Sequence, residues 1–172
     1  MTVHSLDGKS WLTKLERIGE LAKVSKDVVF NNIGHCIDVN MLKKIYYQID
    51  SRKAIGIDGV TKDDYGVNLG DNLKELMSKI RKGSYKPKPS RIVNIPKEDG
   101  STRPLAISCL EDKLVQRAVS MVLDRIFEPI FLPCSYGYRP SRNCHDALRA
   151  LNKHTFKNWD GAVVEIDIQK IL

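Results

Sequence analysis

Arg91-Ile92-Val93-Asn94-Ile95-Pro96-Lys97-Glu98-Asp99-Gly100-Ser101-Thr102-Arg103, followed by Pro104-Leu105-Ala106-Ile107, is the stretch that decides how this chain is built. Ile92, Val93 and Ile95 are β-branched and stop at Pro96, Asp99-Gly100 has turn chemistry, and Leu105 to Ile107 resumes an apolar run. This pattern predicts a β-hairpin. Lys97 and Arg103 then flank the turn from opposite strands. A planar guanidinium and a movable ammonium held on a ribbon suit a polyphosphate. Taken alone, the same hairpin also fits a solvated basic turn.

Upstream of the hairpin, Arg81, Lys82, Lys86, Lys88 and Arg91 cluster around Tyr85, with Pro87 and Pro89 between them. The prolines hold the segment extended. Such a strap can track a phosphate backbone, and composition alone fits a charged linker equally well. Before it, Leu69, Leu73, Leu76, Met77 and Ile80 predict an amphipathic helix ended by Gly83. The loop from Ser51 to Thr61 carries Gly56 and Gly59, while Asp63 and Asp64 stand where acids support the start of a helix. Nearer the amino end, Trp11, Leu15, Ile18 and Ala22 predict a helix behind Ser10 as N-cap. Leu42, Ile45, Tyr46 and Ile49 predict another, with Lys43 and Lys44 on its polar face. Between these two a short helix is expected after Ser25, stapled by Val24 and Val29.

Downstream, apolar residues from Leu114 to Phe127 cover most of a helix, which is therefore expected to be largely buried, and Pro129 ends it. A loop, Ser135 to Asn143, leads into a helix with Cys144, Ala147, Leu148 and Leu151 on one face. Arg139 and Arg142 near its start add cations to an end that already favours anions. For Arg139 the preferred structural role is an organiser bonding loop carbonyls. Ala162, Val163, Val164, Ile166 and Ile168 then predict a strand, with Glu165 and Asp167 sharing a face.

The net charge of +7, from 28 Lys+Arg against 21 Asp+Glu over 172 residues, points to an anionic partner, nucleic acid ahead of membrane. No run reaches transmembrane length, and Met1 to Ser10 lacks signal-peptide features, so a cytoplasmic protein is expected. Four cysteines, Cys36, Cys109, Cys134 and Cys144, stand apart without a C-x-x-C and are expected to be reduced thiols, without zinc spacing.

In order, Trp11 to Ile18, Gly56-Ile57-Asp58-Gly59-Val60-Thr61, Ile95 to Gly100, Tyr136-Gly137-Tyr138-Arg139-Pro140 and Glu165-Ile166-Asp167-Ile168-Gln169-Lys170 resemble motifs of group II intron reverse transcriptase/maturases. The resemblance implies an α+β fold: a helical amino-terminal extension over 1–50, fingers over 51–132 with a basic hairpin packed on helices, and over 133–172 a fingers-to-palm segment with the first strand of a truncated palm. It implies that Lys97 and Arg103 hold the incoming nucleotide's triphosphate. It places Arg91 close to the template, and the clustered or loop cations Arg81, Lys82, Lys86, Lys88, Arg139 and Arg142 are the further candidates for RNA contact. Asp167 matches the first metal-binding, catalytic aspartate. The chemistry uses two Mg²⁺ ions roughly 4 Å apart, clamped by carboxylates.

Departures from the family pattern bound these expectations. Ile171-Leu172 stands where an aromatic pair is expected, and no Tyr-x-Asp-Asp motif follows. The expected protein is an amino-terminal fragment of an RNA-directed DNA polymerase, inactive by itself and with an incomplete Mg²⁺ site. The parent's partners would be RNA, a DNA primer and deoxynucleotides, and cut strand edges would invite self-association. The alternative is a non-catalytic RNA-binding splicing cofactor, which needs the basic surface and no triphosphate site. A generic phosphate-binding α/β domain is disfavoured because neither Gly-x-x-x-x-Gly-Lys nor Gly-x-Gly-x-x-Gly occurs.

Overall fold

A computed structural model describes residues 10–24, 27–157 and 160–168, which divide into two compact units, Met1–Ile130 and Phe131–Leu172. In the first unit the helices are α1 (Trp11–Val24), α2 (Val39–Gln48), α3 (Lys62–Val67), α4 (Leu69–Arg81) and α5 (Leu110–Phe127), with short 3₁₀ turns at Ile33–Cys36 and Glu128–Ile130. Strands β1 (Arg91–Pro96) and β2 (Thr102–Ile107) form a two-stranded antiparallel sheet. The second unit contributes α6 (Cys144–Lys157). The architecture is α+β, as expected.

One core holds the first unit together. Leu15 and Ile18 of α1, Leu42 and Ile45 of α2, Leu73 and Leu76 of α4, and Leu114 and Val122 of α5 are buried in it. Each such side chain contributes roughly 1.5–3 kcal/mol. α5 is the common wall, packing against both α1 and α2. Its burial is narrower than expected: Leu110, Leu114, Ala118 and Val122 line one buried face, while Val119, Leu123 and Phe127 stay more than a third exposed. The apolar residues wrap the helix, but α1 and α2 cover one side.

Local chemistry sets the helix ends. Asp38 caps α2 by accepting from the Met41 N–H at 2.8 Å. Thr61 and Asp64 form a reciprocal capping box on α3, so the acids support a helix start as expected. Gly83, at φ +66°, follows α4 in the left-handed conformation that glycine tolerates.

Two expected elements are absent from the described residues. No helix follows residue 24 before the 3₁₀ turn at Ile33, and Val24 and Val29 are 84% and 69% exposed, so no staple forms. Residues 25–26 lie outside the described set. Residues 162–168 make no strand: they are exposed and pair with nothing, because β structure needs a neighbouring strand for its backbone groups. Gln169 to Leu172, where the motif ends, also lie outside the described residues.

The hairpin's loop has three residues, Glu98 to Gly100. The Lys97 N–H donates to Ser101 O at 2.8 Å and the Gly100 N–H to Lys97 O at 3.1 Å, with Gly100 at φ +78°. That is the pattern of a turn closed by a glycine bulge. Asp99 Oδ1 accepts from the Ser101 N–H and hydroxyl, stiffening the tip. The register pairs Ile95 with Arg103 and Asn94 with Pro104. Counting back from the Lys97–Ser101 bond puts Pro96 and Pro104 at the positions whose nitrogens face outward, where proline's missing N–H costs no ladder bond and blunts both edges. The expectation of a hairpin packed on helices needs correction. Of its twelve strand residues only Ile107, at the base, is buried. The apolar residues that alternate along one face, Val93, Ile95 and Leu105, share it with Arg91, Lys97 and Arg103, whose charged heads favour water over a helix surface.

Candidate nucleic-acid and nucleotide interface

The register brings Lys97 and Arg103 together. Arg91, Val93, Ile95, Lys97, Arg103, Leu105 and Ile107 lie on one face of the ribbon by period two. Lys97 and Arg103 are diagonal neighbours there, with Ile95 and Leu105, each nearly half exposed, beside them. Neither cation makes a hydrogen bond or ion pair among the described residues. Two uncommitted cations beside an apolar strip form a surface for an anion attached to something flat.

At the base of the same face, Arg91 donates through Nε and Nη2 to Ile55 O, at 3.1 and 2.9 Å. Ile55 belongs to the loop between α2 and α3, which borders a cavity of about 320 Å³. Arg52, Lys53, Lys62, Arg91 and Lys113 ring it, with Asp50 the one acid in its lining. Three of these cations hold the cavity open by bonding carbonyls of its own wall: Arg91 on Ile55, Lys62 on Ile49 at 2.5 Å and Lys113 on Ala54 at 2.6 Å. Arg52 pairs with Asp50 at 3.1 Å, and that partner holds the Asp50 carboxyl below its usual range. The loop is pressed against α5 at Gly56, where a Cβ would fall 2.6 Å from Cys109 Cα. Only glycine fits there.

The strap is also tied down. Asp112, in the first turn of α5 and 3% exposed, accepts from the Tyr85 hydroxyl and from the Lys88 N–H at 3.2 Å. Burial, then the bond to Asp112, raises the Tyr85 hydroxyl well above its usual pKa, so it stays a donor. Lys88 Nζ lies 2.9 Å from Asp58 Oδ2. Burial alone would push the Asp58 carboxyl up. Hydrogen bonds from Lys88, the Cys109 thiol and the Val60 N–H overcome that and hold it below its usual range.

The sequence-derived cations therefore sort into two groups. Lys97, Arg103, Arg81, Lys82 and Lys86 are exposed and make no side-chain bond among the described residues, whereas Lys88 and Arg91 have protein partners. Arg139 and Arg142 belong to the second unit and are likewise engaged. Arg139 Nη1 donates to Leu132 O and Ser135 O, and its guanidinium stacks on Phe131. Arg142 donates to Pro133 O and lies over Tyr136. Arg139 thus has the organising role its loop suggested. Asp167 is exposed in the irregular segment 160–168 with Glu165 two residues before it, and among the described residues no three His, Cys, Asp or Glu gather as a metal site. No described helix is long and apolar enough to cross a membrane.

Arg52, Lys53, Lys62, Lys113, Asp58 and Asp112 were not singled out by their pattern. Lys113 lies on the apolar helix and Asp112 looks like an ordinary first-turn acid. The signals that this loop was special were the glycine pair at 56 and 59 and the motif from Gly56 to Thr61 that contains Asp58.

No family model matches the chain. It is 31% identical over 147 residues to the group II intron-encoded protein LtrA of Lactococcus lactis subsp. cremoris, covering 84% of this chain and 24% of that protein. An uncharacterized 91 kDa protein in the cob intron of Schizosaccharomyces pombe is 30% identical over 163 residues, 90% of this chain and 20% of its own length. The protein YkfC of Escherichia coli K12 is 43% identical over 96 residues, 56% of this chain and 25% of its own length. The chain spans between a fifth and a quarter of each of these relatives.

Proposed function

The chain belongs to the group II intron-encoded proteins, and on that premise we propose that it is the RNA- and nucleotide-holding part of an RNA-directed DNA polymerase. The observation that carries this is the ribbon face that has Arg91 on the cavity rim at one end and the uncommitted pair Lys97 and Arg103 at the other. The two ends stand about 20 Å apart by strand rise. RNA is held in the basic cavity and along the strap, with the triphosphate of an incoming deoxynucleotide at the tip. Fixed cations there offset the charge of the phosphates and orient the nucleotide against a primer.

Mg²⁺ would supply the charge stabilisation of nucleotidyl transfer. Asp167 is its expected ligand, but the described residues do not fit a two-ion centre, which needs carboxylates from more than one strand. The role of this chain's own residues is thus to bind and orient.

The test measures stem-loop RNA and deoxynucleoside triphosphate binding by the chain and by a Lys97→Ala/Arg103→Ala variant. Each lost charge-assisted contact is worth about 1.5 kcal/mol or more, so triphosphate affinity is expected to fall roughly a hundredfold while RNA affinity changes less than about twofold. The reverse pattern would favour the non-catalytic splicing cofactor. The same 172 residues, given primer, template and Mg²⁺, are expected not to extend the primer. Extension abolished by Asp167→Ala would overturn that half of the proposal.

A further inference from the structure

We infer that Lys88 is a positioning residue that locks the basic strap to the body of the fold, and that the strap's phosphate contacts belong to Arg81, Lys82 and Lys86. This rests on the RNA-holding role proposed above and divides the strap's cations by task.

Lys88 is held at both ends. Pro87 and Pro89 restrict its backbone to an extended conformation. Its N–H donates to the buried Asp112 and its ammonium to Asp58, whose side chain is 14% exposed. Tyr85 donates to the other oxygen of Asp112, so one carboxylate gathers two points of the strap onto the first turn of α5. Asp58 in turn accepts from the Val60 N–H at 3.4 Å, tying the strap to the cavity loop.

These bonds suit Lys88 poorly as a phosphate ligand. An anion approaching its ammonium meets the Asp58 carboxylate about 3 Å behind it, where like charges oppose each other. Drawing the ammonium away leaves a largely buried carboxylate without its partner, which costs far more than an exposed pair contributes. Arg81, Lys82 and Lys86 carry no such commitment and are exposed. The clamp fixes where the chain enters β1. Three residues on, Arg91 reaches the cavity rim, so the position of the RNA-facing surface depends on a residue that does not touch RNA.

The experiment follows stem-loop RNA affinity against salt. In Lys86→Ala the slope of log affinity against log salt flattens by about 0.7–0.9, the loss of one phosphate contact. In Lys88→Ala and in Asp58→Asn the Kd is expected to rise severalfold with the slope unchanged. A Lys88→Ala slope as flat as that of Lys86→Ala would overturn the inference. So would tighter, steeper binding in Asp58→Asn, which would mean that a ligand had been released from its partner. A fall in the binding-competent fraction at unchanged Kd would reduce Lys88 to general stability and overturn it equally. Amide exchange at Lys88 gives a readout without RNA: protection should drop at least tenfold in Tyr85→Phe and in Asp58→Asn, and unchanged protection sinks the clamp. A wild-type slope near zero would instead overturn the RNA-holding role itself, and the assignment of phosphate contacts with it.

Discussion

α4 and α6 are amphipathic helices of similar length, 13 and 14 residues, each with apolar side chains at helical spacing, yet α4 buries Leu73, Leu76 and Met77 while α6 buries nothing. Leu148 and Leu151 of α6 remain 60% and 52% exposed. The apolar stripe is a property of the helix itself; burial is a property of its neighbours. α4 meets α2 and the shared core, where the return from each side chain is large. α6 is held by local bonds, among them Asn143 Oδ1 accepting from the Asp146 N–H at 2.9 Å and an Arg149–Asp146 ion pair. Such pairs on an exposed surface contribute a few tenths of a kcal/mol.

The sharpest way to break this contrast is to truncate leucines on each side of it. Leu114→Ala, in the centre of the first unit's core, should cost about 2–5 kcal/mol in denaturant unfolding, because it leaves a cavity among packed neighbours. Leu148→Ala should cost under about 0.5 kcal/mol. Comparable losses would mean that α6 is buried in solution and that the two helices do not differ as described.

A smaller effect distinguishes the helix starts. Removing a cap costs about 1 kcal/mol wherever it occurs. Thr61→Ala should therefore lower the melting temperature of the whole first unit, since α3 is latched to α5 by the Tyr65 hydroxyl donating to Glu111 at 3.1 Å. Asn143→Ala should appear as faster amide exchange within α6. If Thr61→Ala changed only the exchange of α3 amides, the latch would be too weak to make α3 part of the cooperative unit.

The smallest expected effect is acid sensitivity. Asp58 has a folded pKa below its unfolded value, so it contributes stability above about pH 4 that is lost as pH falls through the folded pKa. The first unit should weaken below pH 4, and Asp58→Asn should remove part of that dependence. An unchanged pH profile in the variant would show that the Lys88 pair adds nothing to stability.

Much of this was legible in the chain. The helix start that Asp63 and Asp64 support, the stop at Gly83 and the hairpin turn are carried by residues within a few positions of one another. What Asp99-Gly100 left open was the length of the loop, which the Lys97–Ser101 bond sets at three residues. The misses share a cause. The staple at Val24 and Val29, the burial of most of α5 and the strand over 162–168 all required a partner surface, and apolar residues do not specify whether one is present.

The candidate site divides in the same way. By itself the sequence determined which residues carry charge, where Lys97 and Arg103 sit relative to a turn, and that the chain resembles group II intron proteins. Those properties depend on residue type and short-range order. Only the tertiary structure decided that Lys88 is spent on Asp58, that Arg91 closes a cavity wall and that Asp112 anchors the strap. The paired groups lie 24 to 36 positions apart in the chain, and no local propensity registers which distant carbonyl or carboxylate a cation will meet once the core has formed.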